Sequence, residues 1–160
     1  MAKRTIKKRR LENKTDYNLR MSLLKSMTPR IVIRTTNKYF IVQVVESNEA
    51  QDKVTLGVTS KDLIAKGWDE KHAGSLKSIP AGYLTGLLLA KKLKKGKHIV
   101  DLGMARTISG SRVFSVVKGL VDGHADISAN EKAFPSKERL NGEHLKENVS
   151  KMIKEVKAKL

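Results

Sequence analysis

Two kinds of side chain in this sequence invite a chemical reading: one carboxylate at a strand end and a large surplus of cations. Asp101 closes the run His98-Ile99-Val100-Asp101-Leu102, a place from which nucleases of mixed-sheet folds present a metal ligand. A two-metal site needs several converging carboxylates. The neighbours of Asp101 are instead Lys, Gly and Arg, so a metal-dependent nuclease is the alternative reading, not the leading one. The four histidines, His72, His98, His124 and His144, show no metal-site spacing and read as surface or loop residues. The string S-x-x-K occurs at Ser22–Lys25 and again at Ser115–Lys118, a chance recurrence in a lysine-rich chain without catalytic context. No catalytic residue, cofactor, metal or small-molecule substrate is expected.

The cations carry more information. Lys and Arg number 33 against 16 Asp and Glu, a net charge of +17. An excess of that size speaks of a polyanionic partner, nucleic acid first and an anionic membrane surface second. Residues 1–38 hold 12 of the Lys and Arg and only Glu12 and Asp16, so +10 of the +17 lies in the first quarter. Three groups stand where phosphates are commonly held. The first is the block Lys3–Arg10, including Lys7, Lys8, Arg9 and Arg10, followed by Tyr17 and Arg20. Arg30, Arg34, Thr36, Asn37 and Lys38 make the second, and Arg106, Ser111 and Arg112 the third. Ser111 precedes a helical pattern, and a helix start offers free N–H groups to an anion. None of these resembles a major-groove helix, so shape- and phosphate-reading of RNA is favoured. If the groups share one surface, Arg34 and Lys38 lie on the same side of the domain as Arg20 and Arg112.

The elements that must position these residues start with a hairpin. Arg30–Thr35 and Tyr39–Val45 are rich in β-branched and aromatic residues. Thr36-Asn37-Lys38 forms the turn, where Asn tolerates left-handed backbone. With an even loop, Ile31, Ile33, Phe40, Val42 and Val44 face the core. Arg30, Val32, Arg34, Thr36, Tyr39 and Gln43 take the other face. Thr15 or Asp16 starts a short helix towards Lys25, and Val54–Val58 is a third strand. Ser60 starts a short helix ended by Gly67. The Ile79 helix, with Pro80 in its first turn, is apolar nearly all round and reads as central and buried. Its Gly82 and Gly86 suit close packing of helix on sheet. His98–Leu102 then completes a β-α-β crossover with a parallel pair. A helix with Val113, Phe114, Val116, Val117, Leu120 and Val121 follows. From Asp126 the pattern fades until a last amphipathic helix marked by Leu145, Val149, Met152, Ile153 and Val156, whose stripe needs a partner surface.

The expected architecture is α/β: a mixed sheet of an antiparallel hairpin plus third strand, then the crossover, with helices packed on the sheet. It divides into a basic arm (1–14), an RNA-binding domain (15–127) and a C-terminal extension (128–160). The arm alone should order only on a polyanion. No stretch is long and apolar enough to span a membrane, and a cytoplasmic protein is expected.

Several motifs occur together and in order. Lys8-Arg9-Arg10 with Lys14-Thr15-Asp16-Tyr17 and Arg20, Pro29-Arg30, and Arg34–Lys38 come first. Pro80–Leu88, Asp101-Leu102-Gly103, Gly110–Phe114 and Phe134-Pro135-Ser136 follow. The chain thus resembles the 5S-rRNA-binding L-eighteen family of the large ribosomal subunit in its archaeal and eukaryotic form. The resemblance implies a compact mixed-sheet fold and a non-enzymatic role in seating 5S rRNA in the central protuberance. It implies as neighbours 23S-type rRNA and the other 5S-associated protein, of the L-five family. Carried over by position, the RNA contacts are Lys8, Arg9, Arg10, Tyr17, Arg20, Arg34, Thr36, Asn37, Lys38, Ser111 and Arg112. Lys7, Arg30 and Arg106 are added from charge placement. Glu147–Leu160 matches nothing in the family.

Overall fold

The structure is a computed structural model and describes residues 5–49, 51–145 and 147–160; Lys3 and Arg4 of the basic block lie outside them. The hairpin forms as its alternation dictates. Strands β1 (Arg30–Thr35) and β2 (Phe40–Asn48) pair antiparallel with Thr35 opposite Phe40, Ile33 opposite Val42 and Ile31 opposite Val44. Ile31, Ile33, Phe40, Val42 and Val44 are all buried. The turn works differently from expectation. Asn37 keeps ordinary negative φ, and the Thr36 hydroxyl organises the loop, donating to Tyr39 O at 2.8 Å and accepting from Tyr39 N at 2.9 Å. Thr36 is therefore a turn element with its side chain already engaged.

Strand β3 (Gln51–Thr59) pairs antiparallel with β2. A bulge between Val44 and Val45 breaks the alternation, and both valines are buried. Strand β4 (Lys97–Asp101) lies parallel to β1, and a two-residue strand β5 (Asp126–Ile127) lies parallel to β4, giving the order β3-β2-β1-β4-β5. The crossover through helix α3 (Ile79–Lys92) thus carries the chain from β3 over β2 and β1 to β4, whose parallel partner is β1. For labelling, the N-terminal helices are α1 (Lys8–Leu11) and α2 (Tyr17–Lys25), and the later ones are α4 (Arg112–Asp122), α5 (Lys137–Asn141) and α6 (Glu147–Lys159).

Helices α3 and α4 cover the apolar face of the sheet. Leu88 and Leu89 from α3 and Val113, Val116 and Leu120 from α4 join Ile31, Ile33, Phe40 and Val58 in one core. The glycines of α3 permit close approach mainly to α4. A Cβ on Gly86 would strike the Val116 carbonyl, and one on Gly119 would strike the Tyr83 carbonyl. Gly82 sits between Ser115 of α4 and the Phe40 ring of β2, so only there does the expected helix-on-sheet contact hold. Tyr83 adds a polar tie by donating from its hydroxyl to Asp122 Oδ2 at 3.0 Å. Burial first, then the Asp122 charge and this bond, push its phenol up to about 12.

A second cluster forms on the far side of α3. Leu63 and Trp68, from the segment around the 3₁₀ turns at Ser60–Lys66, pack with Tyr83 and Leu84. Leu140 of α5 and Ile153 and Val156 of α6 complete it. The apolar stripe of α6 therefore finds its partner within this chain. His98 also departs from expectation: it is 7% exposed, inside β4, with Nδ1 2.7 Å from Gly96 O. No helix of the described residues is long and apolar enough to cross a membrane.

Candidate nucleic-acid interface

With α3 and α4 on one face of the sheet, the other face belongs to Arg30, Val32 and Arg34 from β1. Helix α2 lies over it. The Asp16 carboxylate starts α2 by accepting from Asn18 N at 2.9 Å and Leu19 N at 3.3 Å. Leu23 and Leu24 then line a cavity with Pro29, Arg30 and Lys53, at the β1 start and the β3 edge.

Between helix and sheet, charges of opposite sign alternate. Arg20 Nη2 donates to Asp52 Oδ2 at 2.9 Å, and Arg30 Nη2 donates to Asp52 Oδ1 at 2.8 Å. Arg30 Nη1 stands 3.5 Å from Asp101 Oδ2, and Arg34 Nη2 donates to Asp101 Oδ1 at 3.1 Å. The order Arg20–Asp52–Arg30–Asp101–Arg34 joins α2, β3, β1 and β4 in one network. Ser47 supports it, donating to Asp52 Oδ1 at 2.6 Å while accepting from Arg30. Partial burial pushes the Asp52 carboxyl up. The hydrogen bonds from Ser47 and Arg20 and the charges of Arg30 and Arg20 outweigh that, and its pKa is lowered overall.

This network corrects two readings. Arg30 is 3% exposed and engaged by two carboxylates, so it is a structural cation with no open surface to offer RNA. Asp101 is 7% exposed; its oxygens face Arg30, Arg34 and the Gly103 N–H, which donates at 2.8 Å. A carboxylate so surrounded by donors has no place for a metal ion. No group of three or more His, Asp or Glu among the described residues is arranged to hold one.

Arg34 is half engaged. Its Nη1 donates to the carbonyls of Asp101 and Ile33, at 2.8 and 2.9 Å, yet 43% of its side chain remains exposed. Gly103 makes this possible. It has φ +60°, and a Cβ there would lie 2.8 Å from Arg34 Cζ.

Around Arg34 the chain gathers further cations. Arg9, Lys14, Arg20 and Arg34 line one cleft, with Thr15, Asp101, Gly103 and Met104. The arm is folded towards it: Arg9 Nε donates to Thr15 Oγ1 at 2.9 Å, and Lys7 Nζ sits 4.5 Å from the centre of the Tyr17 ring. Lys7, Lys8, Arg9 and Arg10 are all exposed. At the hairpin tip Asn37 and Lys38 are exposed, as is Arg106 in the loop after β4. Lys14 was missing from the expected contacts. Its place beside Thr15-Asp16-Tyr17 was the available signal, because the turn into α2 brings it to the cleft.

Ser111 and Arg112 lie elsewhere. They open α4, which packs on the opposite face of the sheet from Arg34. Because β5 returns parallel beside the start of β4, α4 must begin at the end of the sheet where β4 finishes and the hairpin turns. Arg112 thus shares an end of the domain with Lys38 but a different layer from Arg20 and Arg34. The expected single surface is two surfaces.

A model of the family described as ribosomal large subunit proteins 60S L5 and 50S L18 matches residues 3–99. That span holds the arm, the whole hairpin and α3. The chain belongs to this family. Similar curated proteins reach further along it. The large ribosomal subunit protein uL18 of Methanoculleus marisnigri is 44% identical over 143 residues, covering 88% of this chain and 79% of its own length. That of Methanoregula boonei is 41% identical, covering 86% and 79%, and that of Korarchaeum cryptofilum 38%, covering 92% and 75%. As a member of the L5/L18 family the chain is a structural protein of the large ribosomal subunit, not an enzyme. Asp101 in this family member is a clamp for arginines, consistent with that role.

Proposed function

We propose that this L5/L18-family chain binds 5S rRNA and helps seat it in the central protuberance of the large subunit. The observation that carries the reading is the cleft where Arg9, Lys14, Arg20 and Arg34 converge from the arm, α2 and β1. Carboxylates fix the inner guanidinium groups, which leaves the outer cations preorganised for phosphates. The Arg20–Asp52 and Arg34–Asp101 pairs hold their side chains in place before RNA arrives, reducing the ordering cost of binding. The arm adds Lys7, Lys8, Arg9 and Arg10, and the hairpin tip adds Asn37 and Lys38. Tyr17 helps by holding Lys7 over its ring. Arg106 lies on the exposed loop beyond β4 and extends the basic edge. In the assembled particle, 23S-type rRNA and the neighbouring 5S-associated protein of the L-five family would border this surface.

The test is equilibrium binding of the full chain to a 5S rRNA transcript with mixed RNA as competitor. Affinity should fall with salt by roughly 0.7–0.9 log units per log unit of salt for each phosphate neutralised. The double variant Lys14→Ala with Lys38→Ala should lower that slope by about 1.4–1.8 with little change in melting temperature, since both lysines are exposed and the one ion pair lost, Lys14–Glu12, lies at the surface. Equal affinity for the competitor would refute selective 5S recognition.

A further inference from the structure

The groove at the end of α2 differs in character from the basic surfaces. It lies at the start of β1, the far end of that strand from Arg34 and the hairpin tip, and holds about 560 Å³. Leu23, Leu24, Met27 and Pro29 give it an apolar lining. Its charged lining is Glu46, Glu49 and Asp52 with Arg30 and Lys53. Arg30 is already held by Asp52 and Asp101, which leaves Glu46 and Glu49 against Lys53. Lys53 stands opposite Glu46 in the β2–β3 register. Even so, among the described residues neither Glu46 nor Glu49 has an ion-pair partner, and both are exposed. Met27 is 89% exposed, more than any other large apolar residue described. Its backbone sits in the left-handed region at φ +55°, which a methionine seldom adopts. The turn is nevertheless fixed: Met27 N donates to Leu24 O at 3.2 Å, and Thr28 Oγ1 donates to Ser26 O at 2.9 Å. A strained turn that leaves a large apolar side chain in water is a cost to the isolated chain, and a partner covering Met27 offsets it.

We propose that this groove docks a basic segment of a neighbouring protein in the large subunit. The segment sets apolar side chains against Leu23, Leu24 and Met27, and Lys or Arg against Glu46 and Glu49. Charge complementarity selects this occupant. RNA phosphates entering the groove would meet the two unpaired carboxylates, like charge against like. Leucine and methionine side chains also offer a phosphate backbone nothing to bond, whereas they pack well against the apolar stems and side chains of a peptide. In a chain of net charge +17, a groove that pairs free carboxylates with exposed apolar surface stands out as the place for a cationic partner. The two ends of β1 thereby serve different partners. The Arg34 end, with the arm, carries the cations, and the Arg30 end offers carboxylates and apolar side chains. The inference needs only membership of the large subunit and stands apart from the 5S reading.

The experiment has two arms. In the first, the full chain with labelled methionine methyl groups is titrated by NMR at constant ionic strength. The probe is a synthetic peptide of leucine and lysine, and its control has glutamate in place of every lysine. The basic peptide should shift the Met27 methyl and the amides of Leu23 and Leu24, and the acidic one should leave them in place. Glu46→Gln with Glu49→Gln should weaken the basic peptide about fivefold, and Met27→Gln about tenfold. All three side chains are exposed, so these variants keep the fold, and Asp52 stays because it holds Arg20 and Arg30. An equal response to both peptides, no response, or full affinity in the variants would overturn the proposal. So would a Met27 shift on adding 5S rRNA, which would give the groove to RNA, or on concentrating the chain, which would give it to a second copy. In the second arm, Met27→Cys carries a photo-crosslinker into reconstituted large subunits. Cross-links should fall in a protein segment bearing Lys or Arg and should drop about tenfold when Glu46→Lys and Glu49→Lys are added. Cross-links to rRNA alone, or none, would overturn it. A chain that fails to bind 5S rRNA while keeping the peptide shifts and protein cross-links would refute the 5S reading and leave the groove assigned.

Discussion

At the scale of single residues, a strongly basic protein has to keep its cations from repelling one another before RNA arrives. Here the inner arginines are interleaved with Asp52 and Asp101. Removing one partner of a buried pair leaves an uncompensated charge, so Asp101→Asn should destabilise the fold by about 3 kcal/mol, measured by urea denaturation. A metal-dependent enzyme would behave differently: the folded variant would lose Mg²⁺-dependent RNA cleavage that the parent chain, by this account, never shows. Asp52 sets the acid behaviour. Its folded pKa lies below its ordinary value of 3.8. The stability it contributes is therefore complete above that value and is lost as pH falls through the lower folded one. The Asp52→Asn variant should lose this part of the acid destabilisation, visible as a shallower dependence of melting temperature on pH below about 4. The network also changes which variants are clean probes of binding. Arg34→Ala would strip a partner from Asp101 and disturb the fold, whereas Lys38 is exposed and Lys14 pairs only with Glu12 at the surface, so their loss barely touches the fold.

At the scale of elements, the hairpin was the most legible part of the sequence. Its period-2 pattern decided which face is buried, and Ile31, Ile33, Phe40, Val42 and Val44 follow it. The same alternation put Arg30 on the outer face but could not reveal that α2 and Asp52 close over it, since that depends on a contact 22 residues away. Strand β5 was invisible because two residues carry no period; the parallel pair of the crossover was legible, but not that β1 is the partner of β4, because pairing across a crossover leaves no local trace. In α3, Gly82 and Gly86 announced a close approach, one expected against the sheet. The partner is chiefly α4, so Gly86→Val should drive a side chain into the Val116 carbonyl and cost at least about 1–3 kcal/mol in thermal or chemical melts. The amphipathic pattern of α6 was equally plain, and its partner equally hidden until Trp68 and Leu84 were seen beside it. Ile153→Ala should cost about 2–5 kcal/mol, because Ile153 is 2% exposed. A loss below 1 kcal/mol would mean that α6 is only loosely seated.

At the scale of the whole molecule, the sheet separates two tasks. One face, with α3 and α4, builds the core. The opposite face, with α2 and the arm, gathers the exposed cations that we propose meet RNA. Composition alone made the polyanion legible, but it could not tell cations engaged within the fold from those left for a partner. That distinction needs the carboxylates, which come from β3 and β4. The central claim is that RNA lies over the arm, α2 and the hairpin tip. The chain has no cysteine, so single cysteines can carry a tethered hydroxyl-radical source at chosen points. We place them at Lys14, at Lys38 and, as a control within the other lysine-rich region, at Lys92 at the end of α3. Bound to 5S rRNA, sources at positions 14 and 38 should cut the RNA at neighbouring, localised sites, and the source at 92 should leave it intact. Cleavage from 92 with silence from 14 and 38 would contradict the account.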